Sequence, residues 1–405
     1  MRGVGVGLLV VLGLVVAGGI VNYMRVVPAP SETTMLAHTK KVGSAGTLSW
    51  PAGAEGALGV VGIGVLAQTP SQSPQPTASV AKVMTALIVL RQKPLSVGQQ
   101  APVLTITSAD VATYQSDLAQ DESTVPVVAG EQISEYQALQ GMLIAGGNNM
   151  AELLAAWAFG SLATAVAAMN TTARALDMTG THFADASGFA PQTVSMPADL
   201  VRLGEAAMQV PVIADIVKQP SATLPVAGEV RNVDTVIGQS GIVGIKTGSS
   251  DQQAGAFLFA APVTVTGSAS KMVVGVVIGA PNIGVALNSA PGLVQAAGRE
   301  LQGKTIVGAG EEVARLEAPW GTPVPIRTRT AITLVVWHGQ TVEQTVTLRH
   351  ISAPVQAGQR VGTVTVRAGN ETITSPVVAG AALDEPPWLW RATRRPPFVP
   401  RGDWP

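Results

Sequence analysis

Near residue 240 the apolar residues change their spacing, and no other feature limits the possible fold so tightly. Upstream, Val80, Val83, Met84 and Leu87 recur at the period of one helix face, and Pro94 marks where that helix ends. A second helix is predicted from Ser134, where Gln137 three residues on completes a capping-box pair. It carries Leu139, Met142 and Leu143, breaks at "AGGNN", and resumes over 149–159 until Gly160. Downstream, "GIVGIK", "AGAFLFAAPVTV" and "KMVVGVVIGA" read as buried strands separated by Gly, Ser and Asp turns. "GALGVVGIGVLA" (56–67) suits a buried strand or hairpin, and "NSAPGLVQAAGRELQ" a closing helix. Helices grouped apart from strands predict an α+β domain.

The ends of the chain read differently. Residues 1–27 hold an uncharged run from Gly3 to Val21 behind Arg2, close to the roughly 20 residues needed to cross a bilayer. An uncleaved membrane anchor is expected rather than a cleaved signal peptide, because apolar Ile20 and Val21 follow the small residues Ala17-Gly18-Gly19. Residues 28–45 are polar and read as a linker, ahead of the main domain at 46–304. The short β-rich runs of 305–382 predict a separate all-β domain, and 383–405 is a Pro/Trp-rich tail without helical periodicity.

Charge and composition remove several function classes. The chain has 25 basic and 26 acidic residues with no basic cluster, so no nucleic-acid partner is expected. The absence of cysteine excludes disulfides and a cysteine nucleophile. His38, His182, His338 and His350 lack ligand spacing and lie outside any nucleophile motif, so neither a metal site nor a Ser-His-Asp triad is expected.

Three short motifs carry chemistry. In "TASVAKVM", Ser79 and Lys82 sit three apart at a helix start and project from one face. A serine hydroxyl needs a base, and lysine can serve when burial or a nearby cation lowers its pKa. In "GIKTGSS", Lys246 and Thr247 offer a positive charge and a hydroxyl to a carboxylate, while Gly248 lets a ligand approach the backbone. The break between the two central helices presents Asn148.

S-x-x-K, then x-x-N, then K-T-G in this order resembles the penicillin-recognising serine acyl-transferases, within them the D-alanyl-D-alanine carboxypeptidases (low-molecular-mass penicillin-binding proteins, peptidase family S11). Gly146 lies 67 positions after Ser79 and Lys246 lies 167 after it, like the family's spacing. "ASVAKVMTAL", "MNTTARALDMTGTHFADASGFA" and "GIKTGSSDQQAGAFLFAA" add to the resemblance, which covers roughly 45–300. It implies a β-lactamase/transpeptidase-like domain with an antiparallel sheet flanked by helices, followed by the small all-β domain. It also implies roles: Ser79 attacks the carbonyl between two terminal D-alanines, Lys82 takes its proton, and the N–H groups of Ser79 and Ser249 form the oxyanion hole. Asn148 would bind the substrate's amide side, and Lys246 and Thr247 its terminal carboxylate. No cofactor is implied; the partners are the peptidoglycan stem peptide, β-lactam antibiotics as acylating inhibitors, and the membrane through the N-terminal segment.

One position departs from the pattern. The family's second motif is S-x-N, and Gly146 stands where its serine belongs, leaving no hydroxyl there to protonate the leaving amine. That departure raises a second expectation, a catalytically impaired protein with a binding or scaffold role in the cell envelope. A class A β-lactamase is disfavoured because no glutamate has an asparagine four residues on; "DASG" (185–188) is read as a structural turn.

Overall fold

In the computed structural model, residues 2–250 and 253–395 are described. The α+β expectation is borne out. The main domain is a five-stranded antiparallel sheet in the order Gly244–Ser250, Gln253–Val263, Lys271–Ala280, β3 (Glu55–Val60) and β4 (Gly64–Gln68). Alternation along Gln253–Val263 assigns the two faces of the sheet. Ala256, Leu258 and Ala260 pack into the helical body, while Phe257, Phe259 and Ala261 pack with Ala286, Ala290 and Val294 of the helix Ile283–Glu300.

The helical body comprises α2 (Lys82–Gln92), α3 (Ser108–Ala119), α4 (Glu135–Leu143), α5 (Asn148–Phe159), α6 (Leu162–Ala175) and α7 (Pro197–Met208). Ser134 caps α4 through the reciprocal bonds with Gln137 that the sequence predicts. Helix α2 is buried from Lys82 to Leu90, so it forms the centre of the body rather than an amphipathic surface helix.

A seven-stranded antiparallel sheet follows, built on Val313, Ile326, Val364, Val366 and Val377 among others. Its two outer strands come from the segment expected as a linker. β1 (Ser31–Thr34) pairs with Glu312–Glu317 at one edge, and β2 (Thr39–Val42) pairs with Gln340–Leu348 at the other. The linker expectation is therefore corrected. Seven of the eight residues in β1 and β2 are exposed, only Val42 being buried, so the segment carries none of the apolar alternation by which a strand is read. Polar side chains on an edge strand also discourage pairing with other molecules.

The N-terminal run forms α1 (Arg2–Met24), long and apolar enough to cross a membrane. The tail is not wholly irregular: Trp388–Thr393 is a short helix packed against the end of α1, too brief to show a period in sequence. Residues 396–405, including Trp404, lie outside the described residues. Arg394 serves the carbonyls at the end of α1 and in the two residues that follow it, which have no full set of helical partners. Its guanidinium donates to the carbonyls of Asn22 at 2.9 Å, Arg25 at 2.6 Å and Val26 at 3.0 Å. Asn22 Nδ2 donates back to Arg394 O at 2.8 Å, and Arg391 lies 4.4 Å from the centre of the Tyr23 ring. Arg394→Ala should free the short helix without unfolding either domain. Amide exchange over 388–393 is then expected to accelerate at unchanged Tm, and unaltered exchange would contradict this clasp.

Candidate active site

The chain reaches the sheet's open end as a 3-10 turn, Ala78–Ala81, that leads into α2. Ala78 holds a φ of 45°, an uncommon conformation for a residue with a Cβ, immediately before Ser79. Two glycines make room for that turn. A Cβ on Gly248 would lie 2.9 Å from Thr77 O and 3.1 Å from Ser79 N, so the strand Gly244–Ser250 packs its bare backbone on the turn. Gly188 has φ +83°, and a Cβ there would lie 1.9 Å from Ala78 O. The "DASG" turn is thus a support for the conformation of Ser79. Its Asp185 carboxylate accepts hydrogen bonds from the Ser187 hydroxyl at 2.8 Å and the Phe189 N–H at 2.9 Å.

Lys82 is wholly buried, and its Nζ has three partners: Ser79 Oγ at 2.7 Å, Ser187 O at 3.2 Å and Asn148 Oδ1. Two of them are carbonyl oxygens, which only accept. A neutral amine donates its two hydrogens to those two and turns its lone pair to the Ser79 hydroxyl. Burial holds the Lys82 pKa well below the usual lysine range, and the Lys246 charge pushes the same way. Asp185, Glu122 and Asp117 pull it upward without prevailing.

Lys246 is 3% exposed, with Nζ donating to Thr247 O at 3.2 Å. Burial lowers its pKa to about 8, against the opposing charge of Asp234. Thr247 is buried beside it, and Ser249 is exposed. The ladder between this strand and its neighbour pairs Gly248 and then Ser250, with a register shift between them at Ser249. Such a bulge releases a backbone group from the ladder.

Asn148 opens α5 and is buried. Its Oδ1 accepts from Lys82 and its Nδ2 donates to the carboxylate of Glu122, which fixes the amide's orientation from both ends. Burial raises the Glu122 pKa, and the hydrogen bond from Asn148 opposes that rise. Gly146 has φ +79°, and a Cβ there would stand 3.6 Å from Lys246 Nζ. The second-motif position therefore does lie at the site, facing the third-motif lysine. The sequence reading brought Ser79, Lys82, Asn148, Lys246 and Thr247 to notice, but not Glu122 or the Ser187 carbonyl. Glu122 stands in the acidic cluster "QDEST", a charge run in a chain with only 13% charged residues, and that was the available signal.

The model of the D-alanyl-D-alanine carboxypeptidase family, peptidase S11, matches residues 62–282. The chain belongs to that family. It is 34% identical over 204 residues to the D-alanyl-D-alanine carboxypeptidase DacB2 of Mycobacterium tuberculosis, covering 49% of this chain and 66% of that protein. It is 28% identical over 224 residues to the D-alanyl-D-alanine carboxypeptidase of Streptomyces sp. strain K15, covering 51% of this chain and 73% of that one. Penicillin binding protein 5 from Haemophilus influenzae has the same fold, with TM-score 0.61 at 19% identity over 84% of this chain and all of that one. The D-alanyl-D-alanine carboxypeptidase DacD from Francisella tularensis aligns with TM-score 0.60 at 18% identity, over 84% of this chain and 95% of that one. Both of these alignments extend past the family domain, so this S11 chain shares with them a fold that includes the C-terminal sheet.

The support from "DASG" can be measured. In Gly188→Ala the new Cβ meets a backbone carbonyl that has no side-chain freedom to yield. The expected cost is about 2–3 kcal/mol or more in stability, with slower acylation of Ser79. Gly62→Ala is the control, since φ is +85° there but nothing stands within 4 Å. Its cost should be only about 1 kcal/mol. Equal losses of Tm in the two variants would contradict the steric account.

Proposed function

We propose that this S11 protein is a serine D-alanyl-D-alanine carboxypeptidase that removes the terminal D-alanine from peptidoglycan stem peptides through an acyl-enzyme. The observation that carries this reading is the 2.7 Å contact between Ser79 Oγ and the buried Lys82 Nζ. As Ser79 attacks the carbonyl between the two D-alanines, Lys82 takes its proton; water later releases the acyl group. The N–H groups of Ser79 and Ser249 take the developing oxyanion, the latter favoured by the break in the ladder at Ser249. Lys246 and Thr247 hold the terminal carboxylate, while Gly248, expected from the sequence to admit a ligand, instead lets the strand pack on the turn before Ser79. Asn148, held by Lys82 and Glu122, keeps the base aligned and meets the substrate's amide side. β-Lactams acylate the same serine.

Helix α1 would anchor the protein in the membrane with its body outside the cytoplasm, where the stem peptides are. The polypeptide organisation that follows is an anchor, a catalytic domain, a C-terminal sheet domain and a tail returning to the anchor. Gly146 concerns the protonation of the amine expelled as the peptide acyl-enzyme forms, a step that the ring strain of a β-lactam eases. A protein limited to binding would form the penicilloyl adduct or nothing, and would release no D-alanine.

Two measurements test the reading. A fluorescent penicillin should label the wild type and not Ser79→Ala, and D-alanine release from a pentapeptide ending in D-Ala-D-Ala should vanish in the same variant. Wild-type protein without either activity would remove the proposal. The pH profile gives a separate check. Lys246 loses its charge as pH rises through about 8, so the carboxylate loses its partner above that value and not below it. KM for the peptide is expected to climb about tenfold per pH unit above that point, as for a single ionisation. A KM flat from pH 7 to 10 would show that Lys246 does not hold the carboxylate.

A further inference from the structure

Amide cleavage expels an amine, and the nitrogen must gain a proton as the C–N bond breaks. Lys82 has its hydrogens committed to Asn148 Oδ1 and Ser187 O, and Gly146 offers no donor. The surroundings of Gly146 supply one. Apart from its chain neighbours, a Cβ built at Gly146 would find two side chains among the described residues within 4 Å: Lys246 Nζ at 3.6 Å and Ser123 Cβ at 4.0 Å. The geometry points to Ser123 as the catalytic hydroxyl that protonates the leaving D-alanine, delivered to the second-motif position from the loop that follows α3. This rests on the carboxypeptidase reading above.

Three features favour it. The Ser123 side chain is exposed, on the solvent side of a site whose two lysines are buried. Its backbone is held in place: Ser123 O accepts from Asn148 N at 2.8 Å, and two residues on Val125 exchanges two hydrogen bonds with the Asn149 side chain, at 3.0 and 2.8 Å. Such pre-organisation is what a proton donor needs at the moment of bond breaking. Finally, φ at Gly146 is +79°, a conformation in which any residue with a Cβ is strained. The local backbone that brings Gly146 against Lys246 thus favours glycine, and the hydroxyl arrives from a different part of the chain.

The proton balance closes. The Ser79 Oγ–carbon bond forms as Lys82 takes the hydroxyl proton, and the carbon–nitrogen bond breaks as the Ser123 hydroxyl gives its proton to the amine. The Ser123 oxygen is reprotonated by the Lys246 ammonium beside Gly146. The proton gained by Lys82 then restores the Lys246 charge through cleft water. No proton is gained or lost overall.

The test separates a proton donor from a structural residue by changing the leaving group. A thioester analogue with the same acyl chain, ending in D-alanyl-thioglycolate, expels a thiolate that needs no proton. In the full-length detergent-solubilised protein, Ser123→Ala should lower kcat for D-alanine release about 10²-fold or more. Thioester cleavage should stay within about threefold, and Ser79-dependent penicillin labelling should still go to completion, at a rate that ring strain makes less dependent on the donor. Ser123→Thr, which keeps a hydroxyl, should restore most of the amide rate. Loss of amide and thioester cleavage in equal proportion would overturn the assignment, as would Ser123→Ala releasing D-alanine at the wild-type rate. Absence of Ser79-dependent labelling in the wild type would instead remove the carboxypeptidase reading, and this proposal with it.

Discussion

The hydrogen bond between Ser79 and Lys82 can pass a proton in the useful direction only while the lysine stays out of water. An exposed lysine holds its proton to above pH 10 and cannot take one from serine. Here the amine is enclosed by α2, the start of α5 and the "DASG" turn, and burial is the largest influence on its pKa. Much of the fold can be understood as the means of that enclosure. Helix α2 is buried along nearly its whole length because it carries this group through the middle of the body. The sheet closes one side, and its edge strand brings a second buried lysine whose charge acts in the same direction.

Enclosure has a cost that the surrounding polar groups offset. A buried amine without partners would be strongly destabilising. The carbonyls of Asn148 and Ser187 accept its hydrogens, and Glu122 satisfies the other end of the Asn148 amide. Gly188 and Gly248 let two backbone segments approach the turn that carries Ser79 more closely than any Cβ would allow. The same close packing fixes Ala78 at a positive φ. Away from the site, the C-terminal sheet takes both its edges from the stretch just after α1, and Arg394 closes the end of that helix. The N-terminal and C-terminal segments are therefore tied together by backbone pairing and helix capping rather than by a flexible tether.

Features whose cause is local could be seen in the sequence. The capping box at Ser134 and Gln137, the end of α5 at Gly160, and the three-residue spacing of Ser79 and Lys82 each depend on a few adjacent residues. The three inner strands of the main sheet were visible because both of their faces are largely buried and their sequences are mostly apolar. β1 and β2 were not, because their stability comes from hydrogen bonds to strands nearly 300 residues away and almost none from buried side chains. The short tail helix escaped for a related reason: its packing partner is α1, at the other end of the chain.

The sequence by itself determined the family, the places of its three motifs and the missing second-motif serine, since each is written in residue type and short-range spacing. Only the tertiary structure decided that Lys82 is dry, that Glu122 orients Asn148, and that Gly146 faces Lys246 with Ser123 beside it. The physical reason is distance along the chain. A pKa is set by everything packed around the group, and a hydroxyl can be replaced from any segment that the fold brings within reach. Neither leaves a periodic or local mark in the sequence.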